Sequence, residues 1–197
     1  AGSLRGVVFE TLFGLIASTG LRIGEALSLK NADVDLKTGM LTVHQTKFGK
    51  SRQVPVHPST LDALRRYRSQ RDLAGDSCDE DSAFFVGSRG RLRGRPLGDR
   101  QVHRVFAELR RQLGWLNRGA HHAARIHDLR HTFVVRRIVQ WQAQNVDIDE
   151  AMLSLSTYVG HAMVTNTYWY LSAVPELMAL AAARFESFIS QAEVPDA

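Results

Sequence analysis

Apolar and polar residues follow two different periods along this chain, and each switch of period marks a change of element. Residues 5–18, "RGVVFETLFGLIAS", are mostly apolar over more than three turns, which predicts a buried helix. Thr19 and Gly20 then supply the turn that ends it. A second helix begins near Leu21 and carries Arg22, Glu25 and Leu29 at helical spacing. From Val34 to His57 β-rich runs are broken by the turn signals "KTG" and "KFGK", which predicts three antiparallel strands. Helical spacing returns over 58–73, with Ser59 or Thr60 as the expected cap. "SAFFV" follows as a short apolar segment, and "GSRGRLRGRPLGD" (87–99) reads by composition as a mobile loop. Further helices are expected near 100–113, 128–142, 148–157 and 176–192. No internal repeat or domain boundary stands out, so the fold class is mainly α with a small three-stranded antiparallel sheet.

Length and charge narrow the picture. The 197 residues can enclose a real hydrophobic core. No run of eighteen apolar residues is present, so no membrane partner is expected. The opening "AGSLRG" lacks the charged and apolar regions of a signal peptide. One cysteine, Cys78 in "DSCDED", leaves no internal disulfide framework and favours a reducing, cytoplasmic setting. The net charge is only +5, but residues 89–137 hold thirteen arginines against three acids, a net of +10, while the rest is −5. That asymmetry fits a face built for a polyanion, and equally a solvated arginine-rich surface.

Chemistry concentrates in "RIHDLRHTF", residues 125–133, with two histidines and two arginines. Imidazole exchanges protons near neutral pH, and guanidinium is a permanently charged fork matched to phosphate oxygens. His127 and Arg130, three apart on a helix, share a face. Alone, the pair also fits a histidine that caps or packs locally. Three other places are unusual for a plain core: Arg22 at the start of an apolar helix, Lys47 at a hairpin tip, and His161 after a glycine with Tyr168 and Tyr170 downstream. Two rival readings fail or weaken. "GKS" at 49–51 mimics the end of a nucleotide-binding loop, but the required first glycine falls at His44. His121, His122, His127 and His131 have no cysteine or carboxylate at ligand spacing nearby, so no metal is expected. Asp33 and Asp35 read as turn or solvent residues, and Trp115, Trp141 and Trp169 as core or interface aromatics.

Taken together, "TGLRIGEALSL", "TKFGKSRQVPV", "HDLRHTF" and "VGHAMVTNTYWY" resemble the catalytic domain of the tyrosine recombinase (phage integrase) family, in the family's order, over about residues 10–190. "VGH" for the commoner "LGH", and Asn166 for Thr or Ser, are small departures that touch no reacting group. "TYWYLS" is similar to the version in transposon-borne recombinases.

The resemblance implies an integrase-type, DNA breaking-rejoining fold. It makes Arg22 and Arg130 the phosphate-clamping arginines, Lys47 the hairpin lysine, His127 and His161 the active-site histidines, and Tyr170 the nucleophile. Glu25 is expected to orient an arginine and His131 to support the site. Lys50, Arg89, Arg91, Arg93, Arg95 and Arg125 are candidate DNA contacts. The implied activity is site-specific recombination through a 3′-phosphotyrosyl intermediate, without cofactor. The alternatives are type IB topoisomerase-like relaxation and a catalytically idle DNA-binding regulator. The expected partners are double-stranded DNA and further protomers, four on synapsed DNA and one when free. The chain reads as a catalytic domain over 1–197 without the N-terminal core-binding domain usual in the family. Leu177, Ala181, Phe185, Phe188 and Ala192 form a stripe on the last expected helix, suited to a neighbouring protomer.

Overall fold

The computed structural model describes residues 4–44, 51–75, 79–115, 123–161, 163 and 165–173. The chain divides into two compact units, Ala1–Phe133 and Val134–Ala197. Among the described residues no helix is long and apolar enough to cross a membrane.

In the first unit, helix α1 (Leu4–Thr19) buries Val8, Phe9, Leu12, Leu15 and Ile16 and packs against α3 (Pro58–Leu73). Thr19 Oγ1 donates to the Leu15 carbonyl at 2.6 Å, and Gly20 N–H to the Ile16 carbonyl at 2.9 Å. Gly20 sits at φ +66°, the left-handed region that ends helices without a Cβ penalty. The chain thus turns sharply into the short helix α2 (Ile23–Leu27).

The expected sheet is present: β1 (Val34–Asp35), β2 (Met40–Val43) and β3 (Arg52–Pro55) pair antiparallel in chain order. Leu41 faces Val54 and Val43 faces Arg52 across β2 and β3. Period-two alternation therefore turns Leu41, Val43 and Val54 inward, on the face that Arg52 shares. Asp33 takes the turn role of the two expected for it, at the end of the short 3-10 turn Asn31–Asp33, and not the solvent role. It is buried, and accepts from Lys30 N–H at 2.8 Å and pairs with His44 Nε2 at 2.8 Å.

Two further details depart from the sequence reading. The cap of α3 is His57, whose Nδ1 accepts from Ser59 N–H at 3.3 Å, with Pro58 in the first turn where its missing N–H costs nothing. Residues 87–99 form a closed excursion rather than an unstructured loop: Gly87 N–H donates to the Arg95 carbonyl and Gly94 N–H to the Gly87 carbonyl, both at 2.9 Å. A Cβ on Gly87 would lie 2.3 Å from the Leu92 carbonyl oxygen, so glycine serves close backbone approach here.

Tyr67, Phe84 and Phe85 pack ring to ring at 5.2–5.5 Å. The Tyr67 hydroxyl donates to the Phe84 carbonyl and accepts from Val86 N–H. Helix α4 (Asp99–Gln112) buries Val102 and Phe106. Helix α5 (Ile126–Ala143) begins in this unit, and the division between units falls within it.

The second unit contains the end of α5, then α6 (Ile148–Val159) and α7 (Thr165–Ala173), around Val134, Ile138, Met152, Leu155 and Val159. The "TNTYWYLSA" segment, whose conformation the sequence left open, is helical. Of the three tryptophans, Trp115 and Trp169 are largely exposed, so neither is a core residue. The expected 176–192 helix lies outside the described residues.

Candidate active site

The turn after α1 gathers the first unit's charged groups. Arg22 is the residue before α2, and Glu25, in that helix's first turn, reaches back to it twice. Arg22 N–H donates to Glu25 Oε2 at 2.9 Å, and Arg22 Nη1 to Glu25 Oε1 at 3.0 Å. An acid here also meets the positive end of the helix. The Arg22 side chain keeps 39% of its surface exposed, whereas Glu25 keeps 10%. Burial alone would raise the Glu25 pKa. The hydrogen bond from Arg52, then the Arg22 backbone bond and both positive charges, outweigh it and hold the carboxyl below its ordinary range.

Arg130 reaches the same turn from α5. It is 1% exposed, and its Nη1 donates to the Gly20 carbonyl. A fully buried guanidinium is costly unless its N–H groups are engaged, and the Gly20 carbonyl engages Nη1. Gly20 and Arg22 are two residues apart, and one turn therefore bears Arg22 and receives Arg130.

His127 and His131, one helical turn apart on α5, meet edge to face at 4.5 Å. Partial loss of hydration lowers the His127 pKa, and His131, Arg130 and Arg125 add to this against Asp128. His131 is lowered for the same first reason, with Asp128 opposing and Arg125 and Arg130 reinforcing. Both shifts favour the neutral imidazole. Asp128 accepts Arg125 N–H at 2.8 Å and the Arg125 guanidinium at 3.3 Å, which caps the start of α5.

In the second unit, Gly160 follows the end of α6, and His161 N–H donates to the Ser156 carbonyl at 2.9 Å. The His161 Nδ1 lies 2.7 Å from Oγ1 of the fully buried Thr167, which sets the ring's orientation. Tyr170, on α7 one turn beyond Thr167, stacks nearly parallel to His161 with centroids 6.4 Å apart. Tyr170 is buried, while Tyr168 is only half-buried. On a helix two residues apart differ by about 200° in direction, so the two phenols face differently.

The structure thus brings Arg22, Glu25 and Arg130 to one turn, His127 against His131, and His161 against Tyr170. Lys47 and Lys50 lie outside the described residues, as do His121 and His122. Among the described residues no three His, Cys, Asp or Glu side chains converge as metal ligands. Arg89, Arg91, Arg93 and Arg95 are all exposed on the 87–99 excursion, with Arg93 donating to the Ala74 carbonyl. The sequence reading missed Arg52 and Thr167. An arginine at an inward position of β3 was the available signal for the first; nothing in the spacing marked the second.

The sequence profile of the phage integrase family matches residues 5–176. The chain is 42% identical over 184 residues to a putative integrase/recombinase, y4rB, of Sinorhizobium fredii, covering 93% of this chain and 57% of that protein. It is 28% identical over 165 residues to tyrosine recombinase XerC of Thermodesulfovibrio yellowstonii, covering 82% of this chain and 48% of that one. The chain therefore spans about half the length of these relatives. In structure it is similar to the XerH site-specific recombinase bound to a palindromic difH substrate, with a TM-score of 0.67 at 22% identity, over 94% of this chain and 48% of that one. The XerA recombinase gives 0.66 at 23% identity, over 98% and 59%. At those identities the structural likeness carries the fold, and the profile carries the kinship: this chain belongs to the phage integrase family.

Proposed function

We propose that the chain cleaves and rejoins DNA strands in site-specific recombination, as integration, excision or transposition. The observation that supports this reading best is the turn Gly20 to Arg22, which bears Arg22 itself and whose Gly20 carbonyl accepts from the buried Arg130 guanidinium. A phosphodiester repels nucleophiles by its own charge, and two arginines neutralise its non-bridging oxygens with geometry that fits them.

In this reading Arg22 and Arg130 hold the phosphate. The Tyr170 oxygen attacks phosphorus, the bond to the 5′-oxygen breaks, and a 3′-phosphotyrosyl linkage forms. Lys47 protonates the departing 5′-oxygen. His127 and His161 accept the phenolic proton or hydrogen-bond the phosphate oxygens; the lowered His127 pKa favours the neutral ring, which suits either task. Rejoining reverses these steps with the 5′-hydroxyl of an exchanged strand, so the phosphoester energy is conserved and no ATP or other cofactor enters.

Lys50 and the exposed Arg89, Arg91, Arg93, Arg95 and Arg125 contact the DNA backbone. Glu25 and His131 support Arg22 and His127. The partners are double-stranded DNA and further copies of the protein, four on synapsed DNA and one when free, in the cytoplasm at the nucleoid. The solved relatives include a lambda integrase dimer bound to a core site and a Tn1549 transposon integrase bound to transposon-end DNA, which supports both kinds of partner.

The test is a set of nicked suicide duplexes tiled from the DNA on either side of the protein's own gene. Cleavage near the nick releases a short fragment and traps the protein covalently. An SDS-resistant protein–DNA band supports the reading; none on any duplex contradicts it.

A further inference from the structure

The Glu25 carboxylate carries four hydrogen bonds. Two come from Arg22, through its backbone N–H and its Nη1. The other two come from Arg52, whose Nη1 reaches Oε1 at 3.1 Å and whose Nη2 reaches Oε2 at 2.9 Å. A carboxylate offers about four lone-pair sites, so this one is filled. Arg52 and Glu25 are each only 10% exposed on their side chains, whereas Arg22 is 39% exposed. The three charges therefore divide their roles. Arg52 turns its fork inward onto the acid, and Arg22 is the guanidinium that solvent and an anion can reach.

Position in the chain adds a second consequence. Arg52 opens β3 and pairs with Val43 of β2, and the segment between these two strands includes Lys47 in its sequence. Glu25 lies 27 residues earlier, in the first turn of α2. One bidentate ion pair thus ties the start of β3 to the turn that bears Arg22.

We propose that Arg52 is a positioning residue for strand cleavage, holding the Glu25 carboxylate in the plane that orients Arg22 and anchoring the start of β3. The inference rests on the reading of Arg22 as a phosphate clamp. An exposed arginine paired with an acid that can swivel holds its geometry weakly. A parallel two-bond fork fixes the acid's plane, and a fixed plane fixes the Arg22 Nη1 bond. Lysine keeps the charge but offers one compact ammonium and no fork.

Single-turnover cleavage of the suicide duplexes at saturating DNA separates this role from binding and from folding. Arg52→Lys is expected to fold, to bind DNA with an unchanged Kd, and to cleave about tenfold or more slowly, the scale of a misplaced charged group. Arg52→Gln, which also drops the charge, is expected to be slower still. Because Arg52 acts through Glu25, the Glu25→Gln/Arg52→Lys double variant is expected to cleave no more slowly than Glu25→Gln alone. A wild-type cleavage rate in Arg52→Lys, a loss confined to Kd or to Tm, or single effects that multiply in the double variant overturns the proposal. If the wild-type protein forms no covalent adduct on any duplex, the functional reading fails and takes this inference with it. If it forms one and Arg52→Lys matches it, the positioning role alone is wrong.

Discussion

Two residue types decide whether the proposed chemistry runs, and each has its own signature. A lysine that protonates a leaving alkoxide becomes dispensable when the leaving atom is a better leaving group. Lys47→Ala is therefore expected to slow cleavage of an ordinary duplex strongly, and a 5′-bridging phosphorothioate to restore the rate, measured as single-turnover adduct formation. Rescue of Lys50→Ala instead would move the acid to that residue. The histidines give a signature in stability. His127 and His131 have pKa values held below the ordinary 6.5, so the unfolded chain binds protons more readily than the folded one. Their neutral forms contribute stability that is present above 6.5 and is lost as pH falls through the lowered folded values. His131→Asn removes one of these groups. Its Tm is expected to fall less between pH 7.5 and 5.5 than that of the wild type, by thermal unfolding at both pH values. An equal or larger fall would contradict the assignment.

At the scale of elements, the 87–99 excursion offers the clearest case. Gly87 has no room for a Cβ beside the Leu92 carbonyl, so Gly87→Ala is expected to cost about 1–3 kcal/mol by urea unfolding, as overpacked sites do. The arginines that the excursion displays act on DNA by counterion release. For the intact protein a plot of log K against log salt is expected to be steep, and to flatten when Arg89, Arg91, Arg93 and Arg95 are replaced together. A slope that stays the same would remove the loop from the interface.

This element also shows what a sequence can carry. The long periodic helices, the three strands and the arginine–histidine motifs were legible because local spacing encodes them. The closed form of 87–99 was not, since glycine composition alone does not distinguish freedom from close approach. Nor was the helical state of "TNTYWYLSA", where Tyr, Trp and Thr pull towards strand and packing of Thr167 and Tyr170 decides for helix. Arg52 was missed because its partner is distant in sequence; only β3's alternation hinted at it.

For the whole molecule, the central matter is whether the groups of both units serve one reaction and whether copies of the chain cooperate. The apolar stripe from Leu177 to Ala192 directly follows the proposed nucleophile, so a neighbouring protomer that grips it could couple cleavage to assembly. Truncation after Pro175 is expected to leave a folded, DNA-binding monomer with impaired recombination between two sites. Gel filtration and a two-site exchange assay check this. A truncated protein that aggregates would assign the stripe to its own core.

Peptide mapping of the trapped adduct, formed with EDTA present, tests the central claim most directly. Tyr170 and Tyr168 lie two residues apart on α7 and face differently, so one phenol can serve and the other cannot. The predicted result is DNA attached to Tyr170, unaffected by the chelator, lost in Tyr170→Phe with DNA binding retained, and still formed in Tyr168→Phe. DNA mapped to Tyr168, or an adduct that vanishes with EDTA and returns with added divalent metal, would contradict the account.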